Sequence, residues 1–293
     1  MLSYRSVSDV NKCIVANLHR IPSDIDLIVG IPRDGMIVAG LIAAYLNLPL
    51  ADLNSFIENR AYTDSKYTFG KYWKGLDGKK TLIVDDFINF GNTISKVKEE
   101  LLAAKVDMGN VVFLSVYAAS KVKAEKVDMY FEVVPMHRFL EWNVMHHPLL
   151  RKACVDIDGV LCRNPTKQED DDGENYLKFI REVEPYINPG YLIGYLVTCR
   201  LEKYRQETEE WLKKHNIVYS NLITMNLPSK KARAKVSRSD YKAEIYSNTD
   251  TLLFVESSSK QAKEIAEKTG KPVFCISDHN FYNSREAKLK NAD

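Results

Sequence analysis

The chain has 293 residues, room for about two domains at ~150 residues each. Its 41 Lys and Arg against 39 Asp and Glu leave a net charge of +2, a balance that offers no basic face of the kind nucleic-acid binding needs. With 45% hydrophobic and 27% charged residues, the composition is that of a globular protein with a full core, which excludes low-complexity, collagen-like and disordered classes. The most apolar stretch, residues 35–46, falls short of the ~20 residues that a membrane-spanning helix needs. The opening MLSYRSVSDVNK carries charges where a secretory signal has its apolar run, so a cytoplasmic protein is expected. Five cysteines, an odd number without CxxC or zinc-spaced histidines, predict packed thiols and no disulfide framework.

In chain order, residues 26–31 read as a strand, 35–47 as an apolar helix, 80–84 as a strand and 93–105 as an amphipathic helix. Residues 111–118 and 129–134 are further strands. This alternation predicts βαβ units around a mostly parallel sheet. Residues 63–77, with Gly, Lys and aromatics but no periodicity, read as a long loop. The stretch HRFLEWNVMHHPLLRK (137–152) separates the halves, and the boundary is placed near Leu150. Its Trp142, His146 and His147 fit a linker packed against both domains or a closure over an acceptor pocket. In the second half, residues 154–157, 195–198, 252–255 and 272–276 read as strands, and 202–215 and 260–269 as helices. The acidic QEDDDGEN (168–175) reads as a solvated loop. The fold class is therefore α/β, with two Rossmann-like domains over 1–150 and 151–293.

Two segments carry chemistry in the first domain. In TLIVDDFINFGNT (81–93) an apolar strand leads to Asp85 and Asp86, and a Gly91 turn opens a helix near Thr93. Ligands of open parallel sheets sit beyond the carboxyl ends of strands. A helix N-terminus rich in free amides binds anions, and adjacent carboxylates accept from a sugar diol. The second segment, IVGIPRDGMIVAG (28–40), is another strand, turn and helix start. It places Arg33, Asp34 and Gly35 at the turn, with a guanidinium suited to phosphate oxygens.

Together these segments resemble the phosphoribosyl-pyrophosphate (PRPP) site of type I phosphoribosyltransferases. The resemblance implies that Asp85 and Asp86 face the ribose hydroxyls and that Asn89, Phe90, Gly91, Asn92 and Thr93 hold the 5-phosphate. It implies that Arg33, Asp34 and Gly35 meet pyrophosphate, with Lys66 or Lys71 of the 63–77 loop as further candidates. Phe90 and Asn89 depart from the family's usual residues at positions near the reacting centre.

In the second domain, CVDIDGVLC (154–162) ends a strand with Asp156 and Asp158, which alternation turns toward one side. Such a pair suits magnesium binding, with one acid attacking phosphorus and the other moving protons. DxDGV resembles the first motif of haloacid-dehalogenase-like (HAD) phosphatases, and the family's other motifs follow in order. The resemblance implies that Thr198 (YLVTCR) holds phosphoryl oxygens and that Lys242 is the basic residue, with Lys235 as runner-up. It implies that Glu256 (LLFVESSSKQA) completes a magnesium site with Asp156 and Asp158, assisted by Ser257. The short interval between Asp158 and Thr198 leaves room only for a minimal cap.

The pairing implies a bifunctional enzyme. One domain would transfer 5-phosphoribosyl from PRPP to an acceptor, and the other would remove the 5-phosphate, with Mg2+ as cofactor. The resemblance favours a saccharide acceptor in bacterial polysaccharide synthesis, giving a β-ribofuranosyl linkage. A nucleobase acceptor followed by nucleotidase action, or a PRPP-sensing regulator with a degenerate transferase domain, are the alternatives. A homodimer with no membrane span and no nucleic-acid partner is expected.

Overall fold

The computed structural model describes residues 2–60 and 78–283, so the 63–77 loop with Lys66 and Lys71 lies outside the described residues. The chain divides into two compact units, one over Ser3–Arg138 and one from Phe139 onward. The stretch placed at the domain boundary thus clusters with the second unit from Phe139, ahead of the expected division near Leu150.

The first unit is a five-stranded parallel sheet. Its strands are β1 (Leu27–Gly30), β2 (Leu50–Asp52), β3 (Thr81–Ile88), β4 (Val111–Ala118) and β5 (Met129–Val133), in the order β2-β1-β3-β4-β5. Leu82, Ile83 and Val84 are each 0% exposed, the continuous apolar run expected of a parallel strand covered on both faces. Helix α1 (Val7–Asn17) opens the unit and was not expected, although Ser6 and Asp9 form a capping box at its start. α2 (Gly35–Leu46) follows β1, and α3 (Asn92–Ala103) follows β3. The chain runs outward in opposite directions from β1, to β2 on one side and β3 on the other. The crevice at that switch point is bordered by the turns after β1 and β3.

The second unit repeats the principle. Its strands are β6 (Ala153–Val155), β7 (Ile193–Leu201), β8 (Tyr219–Met225), β9 (Leu253–Glu256), β10 (Val273–Cys275) and β11 (Asn280–Tyr282). They lie in the order β8-β7-β6-β9-β10-β11, parallel except for the last pair. Its helices are α4 (Glu174–Glu182), α5 (Arg205–Lys214), α6 (Arg238–Ser247) and α7 (Ser259–Thr269). β6 is flanked by β7 and β9, so Asp156 just past β6, Thr198 within β7 and Glu256 at the end of β9 come from neighbouring strands. β8 and α4 escaped the sequence reading, and β7 continues past Thr198 to Leu201. The helix expected over 202–215 begins as a single 3-10 turn and becomes α-helical at Arg205.

All five cysteines are free thiols, three of them buried. Among the described residues, no helix is long and apolar enough to cross a membrane.

Candidate functional sites

The first site forms where β3 hands over to α3. The strand does not stop before its acids, as the sequence suggested, but carries both of them and ends at Ile88. Asp85 is 8% exposed and its Oδ1 accepts the Asp86 N–H at 3.1 Å. Burial pushes the Asp85 carboxyl up to about 6, and the nearby Asp34 carboxylate adds to the rise. Asp86 is held well above its ordinary value, first by burial and then by Asp85 and Asp34. The turn after β1 is what brings Asp34 in. A Cβ on Gly35 would lie 2.8 Å from the Val84 carbonyl oxygen and 3.3 Å from Asp85 Oδ1, so only glycine lets α2 start this close to β3. The two loops therefore share one crevice, and three carboxyl groups crowd it.

Beyond Ile88, Gly91 takes φ +75° as the N-cap of α3, and no side chain caps the helix. The first-turn amides at Asn92, Thr93 and Ile94 are thus left for an anion, and the Asn92 and Thr93 side chains are exposed. Phe90 projects at the turn, 61% exposed, with the Lys123 ammonium 3.9 Å from its ring centre. Arg33 points outward, and its guanidinium pairs with the adjacent Asp34 at 2.6 Å.

Sequence reasoning missed Arg138. This side chain is 8% exposed and its guanidinium lies over the Phe87 ring at 3.3 Å. Its Nη2 donates to Asn89 Oδ1, while Nη1 is buried without a hydrogen-bond partner. Burial lowers it to about 10, against the pull of the Asp86 carboxylate. Asn89 is thus tied to a cation 49 residues away in sequence.

The second site lies at the carboxyl ends of β6, β7 and β9, in a cleft of about 260 Å3 whose walls include Asp156, Asp158, Lys242, Glu256, Ser257 and Gln261. Asp156 continues from β6, its N–H donating to the Val255 carbonyl at 3.0 Å. Its Oδ1 accepts the Ile157 N–H at 2.8 Å, and its Oδ2 accepts Lys242 Nζ at 2.6 Å. The same ammonium donates to Glu256 Oε2 at 2.6 Å and to Gln261 Oε1 at 3.3 Å. The other Glu256 oxygen accepts the Ser257 and Ser258 N–H groups at 2.9 and 3.1 Å. Burial raises Asp156 to about 7, with the Lys242 charge opposing the rise and Glu256 and Asp158 adding to it.

Asp158 is held by Arg200, a fully buried guanidinium whose Nη2 and Nε reach its carboxylate at 2.6 and 3.1 Å. Gly159, at φ +90°, lets the chain turn here, since a Cβ would come within 2.2 Å of Ser257 Oγ.

Of the two lysines weighed from sequence, Lys242 is 2% exposed and bridges Asp156 and Glu256, whereas Lys235 is exposed on the surface. Thr198 is fully buried and its Oγ1 accepts the Arg200 N–H at 3.2 Å. The cleft wall beside it is instead formed by Cys199. The acidic 168–175 segment is not simply solvated. Asp170 lines the cleft and pairs with Arg233 at 2.6 Å and Lys230 at 3.3 Å. Asp172 pairs with Lys203 at 2.9 Å.

The expected magnesium ligands do not form a ready set. Among the described residues, no three His, Cys, Asp or Glu side chains gather so as to hold a metal ion. Lys242 stands between Asp156 and Glu256, and Arg200 covers Asp158. These cations already offset carboxylate charge that a metal would otherwise offset.

Comparison with known proteins bears on the first unit. A transcriptional regulator, GfcR, of Methanococcoides burtonii is 28% identical over 125 residues, which are 39% of this chain and 62% of that protein. The chain thus spans less than two thirds of the length of this curated relative. A purine phosphoribosyltransferase from Pyrococcus horikoshii Ot3 is similar at 20% identity over 48% of this chain and 93% of its own, with a TM-score of 0.35. A xanthine-guanine-hypoxanthine phosphoribosyltransferase from Helicobacter pylori is similar at 17% identity over 49% of this chain and 95% of its own, with a TM-score of 0.37. The family model of the phosphoribosyl transferase domain matches residues 4–149, and the chain therefore carries a phosphoribosyl transferase domain over that span.

Proposed function

We propose that the chain is a bifunctional enzyme that transfers 5-phosphoribosyl from PRPP to a saccharide acceptor and then removes the 5-phosphate from the product. In the first step Asp85 and Asp86 accept hydrogen bonds from the ribose hydroxyls, while the first-turn amides of α3 and Thr93 hold the 5-phosphate. The bond between C1 and pyrophosphate breaks and a bond from the acceptor oxygen forms, through an oxocarbenium-like state, and the acceptor hydroxyl's proton leaves with the pyrophosphate. Arg33 offsets charge on the departing pyrophosphate. Magnesium, when bound with PRPP, supplies further charge compensation.

In the second step Asp156 attacks phosphorus and the ester oxygen leaves. Water then hydrolyses the aspartyl phosphate. Asp158, oriented by the Arg200 fork, serves the proton transfers, and Lys242 holds Asp156 in place. No step is assigned to a metal in this cleft. The observation that carries the phosphatase half is the meeting of Asp156, Asp158, Lys242 and Glu256, from three separate stretches of chain, in one polar cleft. The saccharide acceptor follows from the resemblance of the paired domains, and the Asn89 and Phe90 departures are compatible with it.

The test is pyrophosphate release from PRPP with a panel of saccharides and nucleobases, run beside phosphate release from sugar monophosphates. Release with a saccharide supports the reading, and release only with a nucleobase moves the acceptor to that class. A second reading, a PRPP-responsive regulator, is favoured by the relative named as a transcriptional regulator. It would prevail if PRPP binds without release of pyrophosphate and changes association with DNA.

A further inference from the structure

The second cleft holds more committed charge than free charge. Asp156 and Glu256 share Lys242, Asp158 has Arg200, and Asp170 has Arg233. Three carboxylates on the cleft floor face two cations, leaving the floor at −1 when all are ionised. A phosphate monoester dianion entering such a floor is repelled unless another cation meets it. Arg238 is a cation without such a commitment. It is the first residue of α6, its side chain is exposed, and it lines the cleft. No ion pair ties it to a carboxylate among the described residues, in contrast to every other cation of the cleft. Arg238 shares the cleft lining with Asp156 and Cys199. Ser237 caps α6 through the Asp240 N–H at 3.2 Å, so the helix start does not depend on the Arg238 side chain.

We infer that Arg238 is the residue that captures the substrate phosphate in this cleft, its guanidinium pairing with phosphoryl oxygens that a floor with one carboxylate in excess cannot attract. A planar fork suits that task, and an ammonium at the same place serves it less well. The inference rests on the phosphatase reading for the identity of the ligand, but its test does not require turnover.

Inorganic phosphate is titrated into the full chain and into Arg238→Ala and Arg238→Lys by calorimetry. Hydrolysis of p-nitrophenyl phosphate is followed in parallel. The expected result is a loss of phosphate affinity of about tenfold to a hundredfold in Arg238→Ala, the range for hydrogen bonds to charged groups, with partial recovery in Arg238→Lys. KM should rise by a similar factor, with a smaller change in kcat. Unchanged phosphate affinity and KM in Arg238→Ala, with wild-type turnover intact, would overturn the inference and leave the phosphatase reading standing. Loss of phosphate affinity on substitution of a chain that hydrolyses no monoester would sink the phosphatase reading and leave the anion site. A wild-type chain that neither binds phosphate nor hydrolyses esters would refute both.

Discussion

Replacing Asp85 by asparagine removes one charge from the crowded crevice of the first unit while keeping an oxygen to accept the Asp86 N–H. The Asp85 carboxyl is pushed up to about 6 by burial, against ~3.9 in an unfolded chain. At 1.36 kcal/mol per pH unit, the gap amounts to about 3 kcal/mol. The folded state binds the proton more tightly, so this contribution to stability is fully present below pH ~4 and is lost as the pH rises through about 6. Asp85→Asn carries no such cost. It should therefore stabilise the first unit by up to about 3 kcal/mol at pH 8, with the gain vanishing below pH ~4. Amide hydrogen exchange across residues 81–88 reads this locally, and protection should rise on the order of 100-fold at pH 8. On the proposed function, PRPP binding should weaken in the same variant, because the carboxylate assigned to the ribose is lost. Equal exchange in variant and parent at pH 8, or a gain that does not shrink with acidification, would refute the reasoning.

Three further outcomes follow from the geometry. Gly91→Ala puts a side chain at φ +75° and against Lys126. It should cost about 1–2 kcal/mol and weaken PRPP binding measured by calorimetry. Lys242→Met leaves Asp156 and Glu256 buried without their shared cation. Urea unfolding should show a loss of about 3–5 kcal/mol, recovered in part by adding Glu256→Gln. If the second cleft is the proposed phosphatase site, turnover should rise with pH through about 7, since Asp156 would attack only when ionised and burial holds it there. A rate flat between pH 5 and 8 would contradict Asp156 as nucleophile.

The strands were legible because parallel strands covered on both faces read as apolar runs, as at Leu82, Ile83 and Val84. Strand ends were less so. Asp85 and Asp86 look like the end of an apolar pattern, yet backbone pairing with β4 carries the strand through them to Ile88. The acids at 156 and 158 stood out because two carboxylates and a glycine follow an apolar run directly. What escaped were the partners that act across sequence distance. Arg138 meets Asn89 from 49 residues away and Arg200 meets Asp158 from 42, and no local period encodes either pair. The 168–175 acids read as solvated for the same reason, since Arg233 and Lys230 reach Asp170 from a short helix about 60 residues on. The charge of a site is fixed only when the fold pairs its members.

The most direct measurement is the mass of the product formed by Asp156→Asn from PRPP and a saccharide that supports pyrophosphate release. Two sites acting in series predict a ribosylated acceptor that retains its 5-phosphate, heavier by one phosphoryl group than the wild-type product. Identical masses from the two proteins would contradict the account.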